Sequence, residues 1–291
     1  MLSLPTRVAA LLISAFVLSA PVTDQVSGQF TAGKRKPIRP KFAVAYDDRD
    51  QRNAREHVVA VVLSEAAADI AAAVADIDPH AHLINQPGLQ GRNYVLLWVK
   101  ADGSVGMNAT YSPGMNQFLD STTESLRADL TANTRDKVAG RVYTPKPVKT
   151  TDGESYSVDL TFSVTVTRLP PGTKLPAGGG EPGKAFSALM AAVARKNWDG
   201  IIRNVSEHHV RDFSDPDETA QERLDGAVQS LGLWLPRRAA VVTGGEVRGD
   251  SAVLDVEGEI SADTRLLFLV RMVKSGTRWV FDRAAKAGFV D

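Results

Sequence analysis

Cysteine is missing from all 291 residues. That absence excludes disulfides, thiolate metal sites and lipid attachment through a lipobox, so packing and polar contacts alone must hold the fold. An excess of either charge is missing too: 34 Lys and Arg stand against 34 Asp and Glu. Nucleic acid is therefore not an expected partner, because binding to a phosphate backbone draws on a broad positive field. The one basic cluster, Lys34-Arg35-Lys36 with Arg39 and Lys41, reads as a solvated segment. Long hydrophobic runs are also lacking. The apolar run Val8–Leu18 (VAALLISAFVL) has eleven residues, against roughly 20 for a membrane-spanning helix. With Arg7 before it and Ser19 and Ala20 behind it, the run reads as a secretory signal peptide within residues 1–28. A cut after Ala20 would leave Pro21 first, which is unfavourable, so a cut after Gly28 is the alternative. The expected product is a secreted or periplasmic bacterial protein with no stable membrane span.

Motifs of common chemistry are absent as well. The chain contains no Gly-Lys-Ser phosphate loop, dinucleotide glycine fingerprint, nucleophile elbow or His-Glu-x-x-His zinc motif. No cofactor is expected.

What the chain does contain is material for two domains, separated by proline and glycine. Residues 29–41 read as a linker. From 42 to 168 the pattern is β-rich. His57–Leu63 (HVVAVVL) is a continuous β-branched run of the kind buried on both faces. Ser64 then caps one main helix, SEAAADIAAAVADI, stopped by Pro79. A loop, HAHLINQPGLQGRN, leads into hairpins with Asp102-Gly103 at a bend. The clearest strand places Tyr156, Val158, Leu160, Phe162, Val164 and Val166 on one face. Residues 169–183 (LPPGTKLPAGGGEPG) carry four prolines and five glycines, and read as an extended linker.

Residues 184–291 open with three helical patterns. Phe186, Leu189, Met190 and Val193 mark the first, and Trp198, Ile201, Ile202 and Val205 the second. The third takes Asp215 as N-cap and Pro216 at its first position. Strands follow across Ala239–Asp282, with Arg248-Gly249-Asp250 as an ordinary bend between two of them. This order of helices, with strands written V-x-G-x-x-V-R-G-D-x-A-x-L-x-V and closed by RWVFD, resembles the NTF2-like superfamily, in particular its small secreted bacterial members. The resemblance implies an α+β cone over residues 183–291, three helices packed on a curved antiparallel sheet with a pocket between them. It implies no activity, since fold alone does not give function. The β-rich half resembles secreted bacterial proteins without a known role.

Two clusters carry possible chemistry. Glu207, His208, His209 and Asp212 follow the second helix, and a His held by Asp212 could act as a general base. The simpler reading has the imidazoles at a helix end, against its carbonyls and dipole. Asp76, Asp78, His80 and His82 offer metal-ligand types, but Pro79 breaks their alternation and no metal is expected. Trp198, Phe213, Trp234 and Trp279 are candidates to line a pocket in the C-terminal domain. Asp255, Glu257 and Glu259 alternate on the outward face of a strand, opposite Arg271, Lys274 and Arg278, and that face could join two copies. The reading is a secreted non-catalytic protein whose C-terminal domain binds a small apolar ligand or a protein partner. The alternatives are an enzyme using the His/Asp pair and a structural association protein of the cell envelope.

Overall fold

A computed structural model describes residues 24–112, 116–121, 125–150 and 153–290. Residues 1–23, with the apolar run expected to be a signal peptide, lie outside that range. The first domain contains β1 (Gln25–Ala32), β2 (Phe42–Arg49), β3 (His57–Ser64), α1 (Ile70–Val74), α2 (Pro79–Ile84), β4 (Tyr94–Val99) and β5 (Val105–Tyr111). It continues with β6 (Asn116–Ser121), β7 (Arg127–Asn133), β8 (Lys137–Tyr143), β9 (Val148–Lys149) and β10 (Ser155–Thr167). The second contains β11 (Thr173–Leu175), α3 (Gly180–Ala194), α4 (Trp198–Asn204), α5 (Glu207–Phe213) and α6 (Ala220–Trp234). Four strands complete it: β12 (Arg238–Arg248), β13 (Ser251–Ser261), β14 (Thr264–Ser275) and β15 (Arg278–Phe289).

Ten strands form one sheet, in the order β6-β5-β4-β3-β2-β10-β8-β7, with β1 and β9 also paired to β10. The alternation read in β10 holds along its length, and Tyr156 through Val166 enter the main core at every second position. Strands β2, β3 and β4 are covered on both faces. Ala45, Val61, Leu63 and Leu97 point to the main core, while Tyr46, Ala60, Val62 and Leu96 form a second core with Ala73 of α1 and Leu83 of α2. Burial on both faces is what a continuous run such as HVVAVVL requires.

The expected α+β architecture, one main helix in the first domain and a three-helix cone in the second, is overturned. The protein is strand-rich: among the described residues 47% are strand against 22% helix, with two sheets and six short helices. The alanine-rich stretch gives only α1, five residues capped by Asp69, and the segment read as a loop opens with α2, six residues capped by Asp78. Ser64 does not cap a helix: it closes β3, and its hydroxyl donates to the Ala66 carbonyl at 2.6 Å. Pro79 opens the second helix instead of ending the first, because its missing N–H costs nothing in a first turn. In the second domain Val205 and Ser206 leave the helical conformation (ψ 159° and 163°). Ser206 N–H donates to the Phe281 carbonyl at 2.7 Å, so EHHVRDF becomes a helix of its own. The next helix starts at Thr219, where its hydroxyl and Glu222 form a reciprocal capping box, and Asp215 only makes a turn.

Both expected linkers carry structure. Residues 25–32, the end of the segment 1–28 and the start of the linker 29–41, pair with β10 from Gln25–Ser163 to Ala32–Tyr156. The Pro/Gly stretch contributes β11 to the edge of the five-stranded sheet β11-β12-β13-β14-β15. Between that sheet and the helices, Phe186, Leu189, Ile201, Leu231, Phe268, Met272 and Phe281 fill the core.

The two domains are packed against each other. Glu257, 8% exposed, takes Arg55 and Arg265, and Asp255 pairs with Arg49 at 3.7 Å. The sheet surface read as a face for a second copy is therefore occupied at these positions by the first domain. Ala54, Leu267 and Val290 form a small core across the boundary. Among the described residues no helix is long and apolar enough to cross a membrane.

Candidate functional site

The last strand runs on past Asp282 to Phe289, and its irregularities build the site. Arg271 of β14 pairs with Arg283 and Met272 with Phe281, so Asp282 is the extra residue of a β-bulge. A bulge re-aims the side chain it carries. Here the Asp282 carboxylate, 16% exposed, stands 3.6 Å from His208 Nδ1, 3.4 Å from Arg271 Nε and 3.8 Å from Arg283 Nε. Arg283 then reaches into the first domain, donating from Nη1 to both Asp76 oxygens at 2.9 and 3.2 Å. Asp76 also holds His82 Nδ1 at 3.2 Å. A chain of ionisable side chains, His208–Asp282–Arg283–Asp76–His82, therefore crosses the domain boundary. Burial opposes ionisation of Asp76, but the Asp78 N–H, His82 and Arg283 outweigh it and hold the carboxyl below its usual range.

Next to this chain lies a cleft of about 640 Å³. One wall is the segment from Asp76 to Pro87 around α2. The other is Arg283–Lys286 of β15, with Trp234 from the end of α6. Trp234 is 54% exposed there, unusual for an indole in a folded chain. A second hollow, about 520 Å³, lies where β1 meets β10, and its Arg141 and Asp159 are already joined by two hydrogen bonds of 2.8 and 2.9 Å.

The expected clusters are rearranged. His208 and His209 occupy the first turn of α5, so no helix C-terminal carbonyls face them. Neither pairs with Asp212, which is exposed, as is Glu207. His208 Nδ1 lies 2.8 Å from Ser206 Oγ and near Asp282. His209 stacks between Phe213 and Phe281, each 5.3 Å away, and its Nε2 donates to the Asp282 carbonyl at 2.7 Å. Burial lowers the His209 pKa despite that hydrogen bond, so the ring is neutral near pH 7. Neither imidazole lines the cleft or the second hollow.

Of the metal-type residues, Asp76 and His82 meet, whereas Asp78 accepts from Ala81 N–H at 2.9 Å as the cap of α2. His80 turns inward, its ring centroid 6.1 Å from that of Tyr94. Among the described residues no three His, Asp or Glu side chains are placed to hold a metal ion. The aromatic candidates are dispersed. Trp198 and Phe213 pack in the core, Trp279 lies under the Lys274 ammonium at 5.4 Å, and only Trp234 of the four borders the cleft.

Sequence reading missed Arg283 and Lys286, which looked like the tail of a finished strand. It also missed a polar group beneath α2. The Tyr46 hydroxyl and His80 Nδ1 are buried there without a hydrogen-bond partner. Burial pushes Asp48 up to about 6, beyond what the Arg49 N–H at 2.8 Å draws it down, and Asp78 adds to the rise. That folded value lies above the roughly 3.9 of an unfolded aspartate. The folded state thus binds the proton more tightly, an advantage complete below about pH 4 and lost as pH rises through 6. Asp48→Asn should raise stability by about 2 kcal/mol at pH 7 and leave it nearly unchanged at pH 4. Urea unfolding at both values measures this; an equal gain at each would assign the effect to packing instead of ionisation.

No family model, curated protein or solved structure matches this chain.

Proposed function

We propose that the protein is an exported, non-catalytic binding protein whose ligand is held in the cleft between its two domains. The observation that carries this is the exposed Trp234 at the wall of a cleft of about 640 Å³. That volume falls in the range of ligand pockets, which pair apolar walls with a few fixed polar groups. Trp234, Ile77, Pro87, Ala284 and Ala285 supply the apolar part, and Asp76, His82, Arg283 and Lys286 the polar part. The Asp76–Arg283 pair fixes the walls relative to each other without filling the space between them.

Binding is favoured over the catalysis expected of His208 or His209 with Asp212 by where those two imidazoles lie. His208 and His209 are committed to Ser206, Asp282 and the aromatic stack, outside the cleft. Export rests on the N-terminal apolar run and its flanking residues. The site differs from the one expected, since the interior of the second domain is filled by its own side chains.

Native mass spectrometry of the protein purified from its own host should show a bound species. Trp234→Ala should lose it, with affinity for the released compound falling at least tenfold, as on removal of an aromatic anchor. The side chain is more than half exposed, so the fold should survive the change. A species retained in full by the variant would sink the assignment.

A further inference from the structure

The chemistry of the occupant is narrowed by the wall that β15 contributes. Four consecutive residues, Arg283 to Lys286, border the cleft. Side chains on a strand alternate between faces, so a cavity on one face meets every second residue. A cavity that meets four in succession lies along the strand's edge.

That edge is already in use on both sides of the cleft. β15 is the last strand of its sheet, with β14 as its neighbour. At one end Ser206 N–H donates to the Phe281 carbonyl and His209 Nε2–H to the Asp282 carbonyl, both at 2.7 Å. At the other end Phe289 N–H donates to Gln51 O at 3.0 Å, and Ala54 N–H to Phe289 O at 2.8 Å. Between these contacts, among the described residues, the backbone from Arg283 to Ala287 is bonded to β14 alone. Five residues of open edge span about 16 Å at the rise of a β-strand. An open edge is a template for a further strand, and main-chain hydrogen bonds then supply affinity while side-chain pockets supply selectivity.

Charge selects the kind of strand. Lys286 is exposed and forms no ion pair among the described residues. A second copy laid antiparallel on the same edge would bring Lys286 and Arg283 against their own kind, which like-charge pairing across strands disfavours. A segment carrying a carboxylate has the opposite effect. Resting on the reading of the cleft as a ligand site, we infer that its occupant is an extended acidic peptide segment that adds to β15 as a further strand. One apolar side chain of the segment packs on Trp234 and a carboxylate pairs with Lys286.

The test uses the leaderless full chain and acetylated, amidated octapeptides. These alternate β-branched residues with aspartate and carry one phenylalanine; a matched set has lysine in place of aspartate. Calorimetry should give at least tenfold tighter binding to the aspartate set, with the preference reversed in Lys286→Glu. Methylating single backbone nitrogens of the peptide should weaken binding at least tenfold at alternate residues and less than twofold at those between. Loss of that alternation, or no binding of either set, overturns the inference. The reading of the cleft still stands if a copurified species is lost in Trp234→Ala. Peptide binding that is equal in wild type, Trp234→Ala and Lys286→Glu overturns the inference, and a copurified species retained in full by Trp234→Ala overturns the reading of the cleft.

Discussion

Asp282→Ala should cost the folded chain about 3 kcal/mol, the low end of the range for leaving a buried charge without its partner. The carboxylate is 16% exposed and stands within 4 Å of three cationic or protonatable groups, His208, Arg271 and Arg283. Arg271 Nε is itself buried without a hydrogen-bond partner, and the Asp282 carboxylate at 3.4 Å is its ion-pair partner. Removing Asp282 leaves that nitrogen desolvated and without the carboxylate that faces it, beside a second guanidinium that Asp76 still balances. The backbone carbonyl of residue 282 would still accept from His209, so α5 keeps its anchor and the loss reports the charge. A second change separates the two contributions. In Arg271→Met/Asp282→Ala the stranded cation is gone, and the double variant should recover part of the loss, departing from additivity by 1 kcal/mol or more. Urea titrations of the four proteins decide it. A loss under about 0.5 kcal/mol for Asp282→Ala would place the cluster with surface pairs, which contribute little.

That cluster also shows where sequence reading reaches and where it stops. Elements stated by periodicity were legible: β10 by strict alternation, β3 by its unbroken β-branched run, the bend at Arg248-Gly249-Asp250 by Gly249 at φ +59°. Helix boundaries were less so, because competing caps stand close together. Thr219-x-x-Glu222 outcompetes Asp215-Pro216 by satisfying two orphan backbone donors instead of one. The break at Val205 and Ser206 depends on a hydrogen bond to Phe281, 75 residues away, and has no local sign. The candidate site was hidden for the same reason. His208 and Asp212 are four apart in sequence and invite pairing, yet a bulge in a distant strand delivers Asp282 to His208. Asp76 and His82 were singled out for metal chemistry. Their partner Arg283 lies 207 residues from Asp76, on the other domain. Spacing along the chain finds side chains on one element; it does not find those that two domains bring together. The expected three-helix cone failed at the same level, since helix–strand order alone does not fix helix number or the filling of the space beneath them.

Gly288→Ala should separate the domains. Gly288 has φ +149°, outside the range that L side chains readily adopt. A Cβ there would stand 2.7 Å from Gln51 O, 2.8 Å from Gln51 Cα and 2.9 Å from Asp50 O. All three are backbone atoms that no rotamer change can move. The adjacent hydrogen bonds, Phe289 N–H to Gln51 O and Ala54 N–H to Phe289 O, depend on that close approach. So does the small core of Ala54, Leu267 and Val290. The expected cost is about 3 kcal/mol, the sum of backbone strain and lost docking. It should appear as two unfolding transitions where the wild type has one, with a larger radius of gyration in solution scattering. Gly226→Ala provides the opposite case. Gly226 lies inside α6 with open space where a Cβ would go, so the same substitution should stabilise by about 0.5–1 kcal/mol through helix propensity. A single transition in Gly288→Ala, with unchanged dimensions, would show that the loop 50–54 yields without releasing the second domain. The cleft between the domains would then not depend on this contact.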